Sequence, residues 1–327
     1  MSEQKNPIII AVTLALVAAF VLGGVSLTLF PSQLNLPTWS GKAFVLSTLQ
    51  SGSSVRSIPP EFSFSLLIPV DTVCINSDGS LNATNLPIDH KGDTYTFTGD
   101  VVNWTIVVQR DNIVIDGGGH KLQGFKRGES YAHAGIVLEG RSNVTISNLI
   151  ITAFGGAIWV QNSKNITIVS NNFVDDGGGV SVESVNNSRI TDNNFSQIGT
   201  DSVTLGTLIG GSPTTNSIIS SNNITGGTVG IDTYWGSSNT VTWNNLADVY
   251  NPISAGENTT VANNNMVDGI DGITVSSGCR IYQNTILNCS QSGISVQGID
   301  SEIFENYVAN CSHSVMMDWY NDHPLGN

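Results

Sequence analysis

Positive charge is scarce in this sequence. Its 327 residues hold 12 Lys and Arg against 26 Asp and Glu, a net charge of −14. Only 12% of the chain is charged, about half the usual share. No basic cluster occurs, so nothing would grip a phosphate backbone, and nucleic acid is excluded as a partner. Cysteine is sparse too, and four residues cannot build a dense disulfide scaffold. What the chain has instead is Gly and Asn, 34 of each. These two residues tolerate left-handed backbone angles best, so the chain is rich in tight turns. With 40% hydrophobic residues it is globular and not disordered.

One long apolar run stands at the N-terminus. Ile8 to Phe30 carries no charge and is long enough to span a bilayer, longer than the apolar region of a cleaved signal peptide. Lys5 precedes the run and the next basic residue is Lys42, which orients the short N-terminus to the cytoplasm and the rest outside. The expected organisation is a cytoplasmic N-terminus at 1–7 and a single-pass transmembrane helix at 8–30. A linker or irregular cap follows at 31–69, then an extracellular domain at 70–320 and a C-terminal tail at 321–327. Ten N-x-S/T sequons, at Asn82, Asn103, Asn143, Asn165, Asn186, Asn194, Asn223, Asn258, Asn288 and Asn310, agree with a glycoprotein outside the cell. An Asn-rich chain also produces sequons by chance.

From residue 135 the chain repeats in lines of about 22 residues, the mark of a solenoid. Three apolar columns fall into register. The first runs Ile136, Ile158, Val180, Val203, Ile231, Ile253, Ile273, Ile294. The second runs Ile146, Ile168, Ile190, Ile219, Val241, Val261, Ile281, Ile303, and the third Ile151, Phe173, Phe195, Ile224, Leu246, Met266, Ile286, Val308. Alternation with period two around these positions, and β-branched residues inside, give three short strands per turn of a right-handed parallel β-helix. A fourth column is polar: Asn171, Asn193, Asn222, Asn244, Asn264, Asn284 and Asn306. Stacked amides satisfy the backbone at a tight corner, so this column reads as a structural asparagine ladder. Asn143, Asn165, Asn187, Asn216 and Asn258 mark another turn.

The stretch before the repeats reads V-C-I-N-S-D-G-S (Val73 to Ser80), G-D-T-Y-T-F-T-G-D (Gly92 to Asp100) and V-V-Q-R-D-N-I-V-I-D-G-G-G-H-K-L-Q-G (Val107 to Gly124). Together with the N-N-x-I-x-x-N-N coils it resembles the NosD-like β-helix proteins of archaeal cell surfaces, also described as carbohydrate-binding and sugar-hydrolysis domains. The resemblance covers residues 70 to 320 and implies fold and export more than activity. It also carries a copper association. The candidate ligands are His313, Met316, Met317 and His323, which equally suit ordinary contacts at the last coil.

No catalytic motif is present. Asp175-Asp176 matches the D-D of pectin-hydrolase β-helices, but no G-H-G follows, and Arg280-Ile281-Tyr282 departs from R-x-K. Outward positions on the first strand offer a sugar-gripping set: Trp159 and Asp232, then Glu139, Gln161, Glu183 and Tyr234. The longer line from Gly206 to Ser217 is placed to wall that face. Asp248 and Asp268 stack in neighbouring coils, where Ca²⁺ would relieve their repulsion, although an exposed turn tolerates the pair without metal. No cofactor is otherwise implied. Cys289 and Cys311 share a column and come within disulfide range, so either a bridge or a stacked pair of free thiols is expected there.

The expectation is a β-helix anchored in the cell membrane and exposed outside. It binds a polysaccharide or surface glycan, or serves as a structural module. A polysaccharide lyase or glycoside hydrolase is the alternative, and a copper-related accessory role the third reading.

Overall fold

Alternating inward and outward residues make the strands of each coil, and Gly, Asn and Ser at left-handed angles make its corners. The computed structural model describes residues 71–127, 130–131, 134–206 and 212–317. The chain divides into two compact units, Met1–Ser65 and Leu66–Asn327, and every described residue belongs to the second. The Ile8 to Phe30 run, the 31–69 linker, His323 and the 321–327 tail lie outside the described residues. Among the described residues no helix is long and apolar enough to cross a membrane.

Three sheets run along the solenoid axis, two of eleven strands and one of ten. Sheet A begins at Asp71–Ile75 and Trp104–Val108 and continues through Ala134–Glu139, Gly156–Gln161, Val180–Glu183, Asp201–Leu205 and Val229–Asp232, ending at His313–Met317. Sheet B opens with Ile88–Lys91 antiparallel to Thr94–Phe97 and is parallel from there to Glu302–Phe304. Sheet C runs from Val101–Val102 to Tyr307–Ala309. A small hairpin, Lys126–Arg127 with Ser130–Tyr131, interrupts the passage from sheet C to sheet A.

Register places Ile158 between Ile136 and Val180, Ile190 between Ile168 and Ile219, and Phe195 between Phe173 and Ile224. The inward columns are buried almost without exception until the last coil, where Ile303 and Val308 are only partly covered. Phe173 and Phe195 stack at 4.5 Å. At the other end, Leu81, Leu86 and Ile88 pack against the core and close the first coils.

The B-to-C corner is held by amides. Each asparagine from Asn171 to Asn306 accepts from the previous coil through Oδ1. Asn193, for example, donates its backbone N–H (3.0 Å) and its Nδ2 (3.1 Å) to Asn222 Oδ1. The same Nδ2 groups reach carbonyls of the preceding coil and of their own strand, as Asn244 does to Ile219 and Thr242. Side chains thereby take over the backbone groups that a sharp turn strips from the sheet ladder.

The C-to-A corner is tight in a different way. The residue that enters sheet A there is small in coil after coil: Gly135, Ala157, Gly179, Ser202, Gly230. A Cβ on Gly179 would strike the Ser202 carbonyl of the next coil and the Phe195 ring. One buried position on this corner carries an acid. Asp176 is fully buried, and its Oδ1 accepts the Phe154 N–H at 2.8 Å. Its Oδ2 has no hydrogen-bond partner. Burial, with the charge of Asp175 adding to it against the Phe154 bond, pushes this carboxyl up to about 7.

Candidate functional site

The outer face of sheet A gathers the outward residues that the sequence offers as a sugar-gripping set. Trp159 pairs with Val137 and Ser181, and the same outward line continues through Thr204 to Asp232 and Ser254. A second line, two residues further along each strand, carries Glu139, Gln161 and Glu183. Register carries it past Gly206 to Tyr234. Strand spacing puts Trp159 about 14 Å from Asp232 along the axis, three coils away. Trp159 is 40% exposed, an indole in a column otherwise of small or polar side chains. Gln161 donates to Glu183 Oε2 at 3.1 Å, which fixes that carboxylate on the face.

At the C-to-A corner, reaching Ser181 and Thr204 in the two coils after Trp159, lies a cavity of about 230 Å³ lined also by Gly155, Gly156, Gly178, Gly179, Thr200 and Asp201. Four glycines make its floor, so a ligand can approach the backbone there. Asp201 Oδ2 accepts the Thr204 hydroxyl at 3.3 Å, and burial raises its carboxyl above the ordinary range. Asp232, one coil on from Thr204, is raised as well. Burial is the main cause and the charge of Asp201 adds to it, while the Tyr234 N–H at 2.9 Å and Ser254 oppose. Tyr234 and Trp235 meet edge to face at 5.2 Å and are both exposed. Gly206, at φ +106°, is left bare because any Cβ would lie 2.6 Å from Trp235. Residues 207–211 of the longer line fall outside the described residues, and Ser212 returns to the corner by accepting from Ser184.

Asp201, Thr204 and the glycine floor are absent from the sequence-derived set. Several strands of sheet A start with one outward residue, two buried residues and another outward one, as in Asp201-Ser202-Val203-Thr204. This doubling defeats simple alternation. The recurring small residue at the second position is the signal that would have located it.

The remaining candidates have structural roles or stay apart. In the D-G-G-G-H turn, Asp116 accepts from Gly118 N–H and Asn148 Nδ2, and His120 lies 3.7 Å from Asp100. Met316 accepts from Ser292 on the outer face, while Met317 pairs with inward Val296, so the two sulfurs diverge. Asp248 and Asp268 both sit at left-handed angles, and Asp268 accepts Asn288 Nδ2 at 2.9 Å. Among the described residues no group of three or more His, Cys, Asp and Glu could hold a metal.

Cys289 and Cys311 stack in adjacent coils as free thiols in this structure. Cys311 Sγ accepts the Cys289 N–H at 3.3 Å, in the manner of the amide ladder. Burial, with Cys311 alongside, pushes the Cys289 thiol up to about 12. Several sequons also serve the coil stack. Asn143, Asn165, Asn194, Asn223, Asn288 and Asn310 each donate Nδ2 to the neighbouring coil.

The chain belongs to the family described as the right handed beta helix region, which matches residues 88–246 and 134–323. No curated protein is a match. Among solved structures, the alginate lyase from Paenibacillus sp. is similar over 66% of this chain and 92% of its own, at 13% identity and a TM-score of 0.55. DFA-IIIase from Arthrobacter chlorophenolicus in complex with DFA-III is similar over 64% of this chain and 61% of its own, at 14% identity and a TM-score of 0.52. PfbA, a surface adhesin of Streptococcus pneumoniae, covers 65% and is covered over 64%, at 15% identity and a TM-score of 0.50. At such identities the likeness is one of fold.

Proposed function

We propose that this chain is a NosD-like, membrane-anchored extracellular β-helix that binds glycan on the outer face of sheet A. The observation that carries the reading is Trp159, exposed beside a glycine-floored cavity with Asp201 and Asp232 further along the same face. A pyranose stacks its C–H face on indole and donates hydroxyl protons to carboxylates, and this face supplies both. The fold neighbours include two carbohydrate-active enzymes and a surface adhesin, which agrees with that reading. A glycan array probed with the full-length protein, with and without Ca²⁺, is expected to return oligosaccharide ligands. An empty array would leave a structural surface module.

The Ile8 to Phe30 run is the proposed anchor, so full-length protein is expected to fractionate with membranes. Mature protein beginning after Gly23 or Gly24 would replace the anchor with a cleaved signal. A second reading, glycoside hydrolysis, is favoured by Asp201 and Asp232, two carboxyls in neighbouring coils that burial raises above the ordinary range, since that chemistry uses a pair of carboxyls of which one is raised. Release of new reducing ends from an array ligand would convert the binding module into an enzyme.

A further inference from the structure

Sheet A carries no strong cation. Its eleven strands contain neither Lys nor Arg, while Glu139, Glu183, Asp201 and Asp232 all lie on them. Its one basic side chain, His313, is seven strands away from the strand of Trp159. Round the corner toward sheet B, Arg141 is turned onto the Gln109 and Glu139 carbonyls and lies 3.4 Å from Asp111. Lys164 sits on the bridge between Ser142 and Asn186. Arg280 belongs to sheet B and pairs there with Glu302 at 2.9 Å.

A uronate or sulfate on a ligand needs a guanidinium, an ammonium or a metal as partner. On the strands of sheet A it would meet carboxylates instead, where like charges repel. A bridging Ca²⁺ needs six to eight oxygens, and the described residues offer no cluster of three acids to seed such a site. An uncharged sugar meets no such obstacle. Its hydroxyls can donate to Glu183 and Asp232 and exchange hydrogen bonds with Ser181 and Thr204, which recur from coil to coil about 4.8 Å apart.

We propose that the sheet A face takes a chain of uncharged pyranoses and excludes polyuronates and sulfated glycans. This specificity rests on the glycan reading above. It sets the chain apart from a β-helix that acts on alginate, an anionic polymer, although the fold is shared.

The test uses the full-length protein and matched hexasaccharide pairs that differ only in oxidation at C6. These are β-1,4-glucan and β-1,4-glucuronan, β-1,4-mannan and β-1,4-mannuronan, and α-1,4-galactan and α-1,4-galacturonan. Each is titrated at low salt, once with chelator and once with added Ca²⁺. The neutral member of at least one pair is expected to bind, and its uronate to bind about tenfold more weakly or worse, with the gap narrowing as salt rises. In the double variant Glu183→Gln, Asp232→Asn the ratio within that pair is expected to shrink. A uronate that binds as tightly as its neutral partner, with or without Ca²⁺, overturns the proposal, as does a ratio unchanged in the double variant. Failure of every neutral and every uronate probe rejects the glycan reading itself.

Discussion

Asn222→Ala is expected to destabilise the β-helix by about 4 kcal/mol, because buried polar groups left without partners cost about 1–3 kcal/mol each. Asn222 is 1% exposed and sits in the middle of the ladder. Its Oδ1 accepts both the backbone N–H and the Nδ2 of Asn193, and its Nδ2 donates to the Ile190 carbonyl and to Asn244 Oδ1. Alanine strands those donors and that carbonyl inside a buried corner. The neighbouring Asn223 gives the contrast. It belongs to an outer ladder, donating to Asn194 at 2.9 Å from an exposed position, where water replaces what is lost. Asn223→Ala is expected to cost less than about 1 kcal/mol. Urea unfolding of the two variants checks the difference, and equal midpoints would deny the inner ladder its structural role.

Asp176→Asn is expected to stabilise the protein above neutral pH and to flatten its pH dependence. The Asp176 carboxyl stands at about 7 in the folded chain and near 3.8 when unfolded. Between those values the folded state holds a proton that the unfolded state has released, so stability falls as pH rises. Its contribution is complete below about pH 4 and is lost as pH passes through about 7, a swing of up to about 4 kcal/mol. Asparagine keeps an oxygen for the Phe154 N–H and removes the charge. Melting temperatures across pH 4 to 8 are expected to fall for the wild type and to change less for the variant. Parallel curves would show that Asp176 is not the buried acid responsible.

Most of the fold was legible because a solenoid writes its contacts into sequence spacing. Ile136, Ile158 and Val180 are neighbours in space because they recur at the coil length, and the register follows the columns strand by strand. The amide ladder was legible for the same reason. The site was harder to read. Trp159, Gln161 and Glu183 declared themselves by alternation, but Asp201 hides behind the doubled buried pair at the strand entry. Asp175-Asp176 looks like a surface acid pair, yet the corner geometry turns Asp176 into the core, where it takes the place that Phe154 and Ile198 hold in adjacent coils. Trp243 also escaped notice. It occupies a left-handed corner position at φ +60°, where polar residues are the rule, and is 65% exposed.

The central claim is that sheet A binds glycan through Trp159, and the most direct test is a calorimetric titration of the strongest array ligand into wild type and Trp159→Ala. The indole projects from a strand whose core contacts come from Ile158 and Val160, so its removal leaves the fold intact. Base–aromatic stacking in other systems is worth about 1–3 kcal/mol per ring, and a sugar on indole is expected to be comparable, which weakens binding by about fivefold or more. Equal affinities for the two proteins, both folded by circular dichroism, would contradict the account.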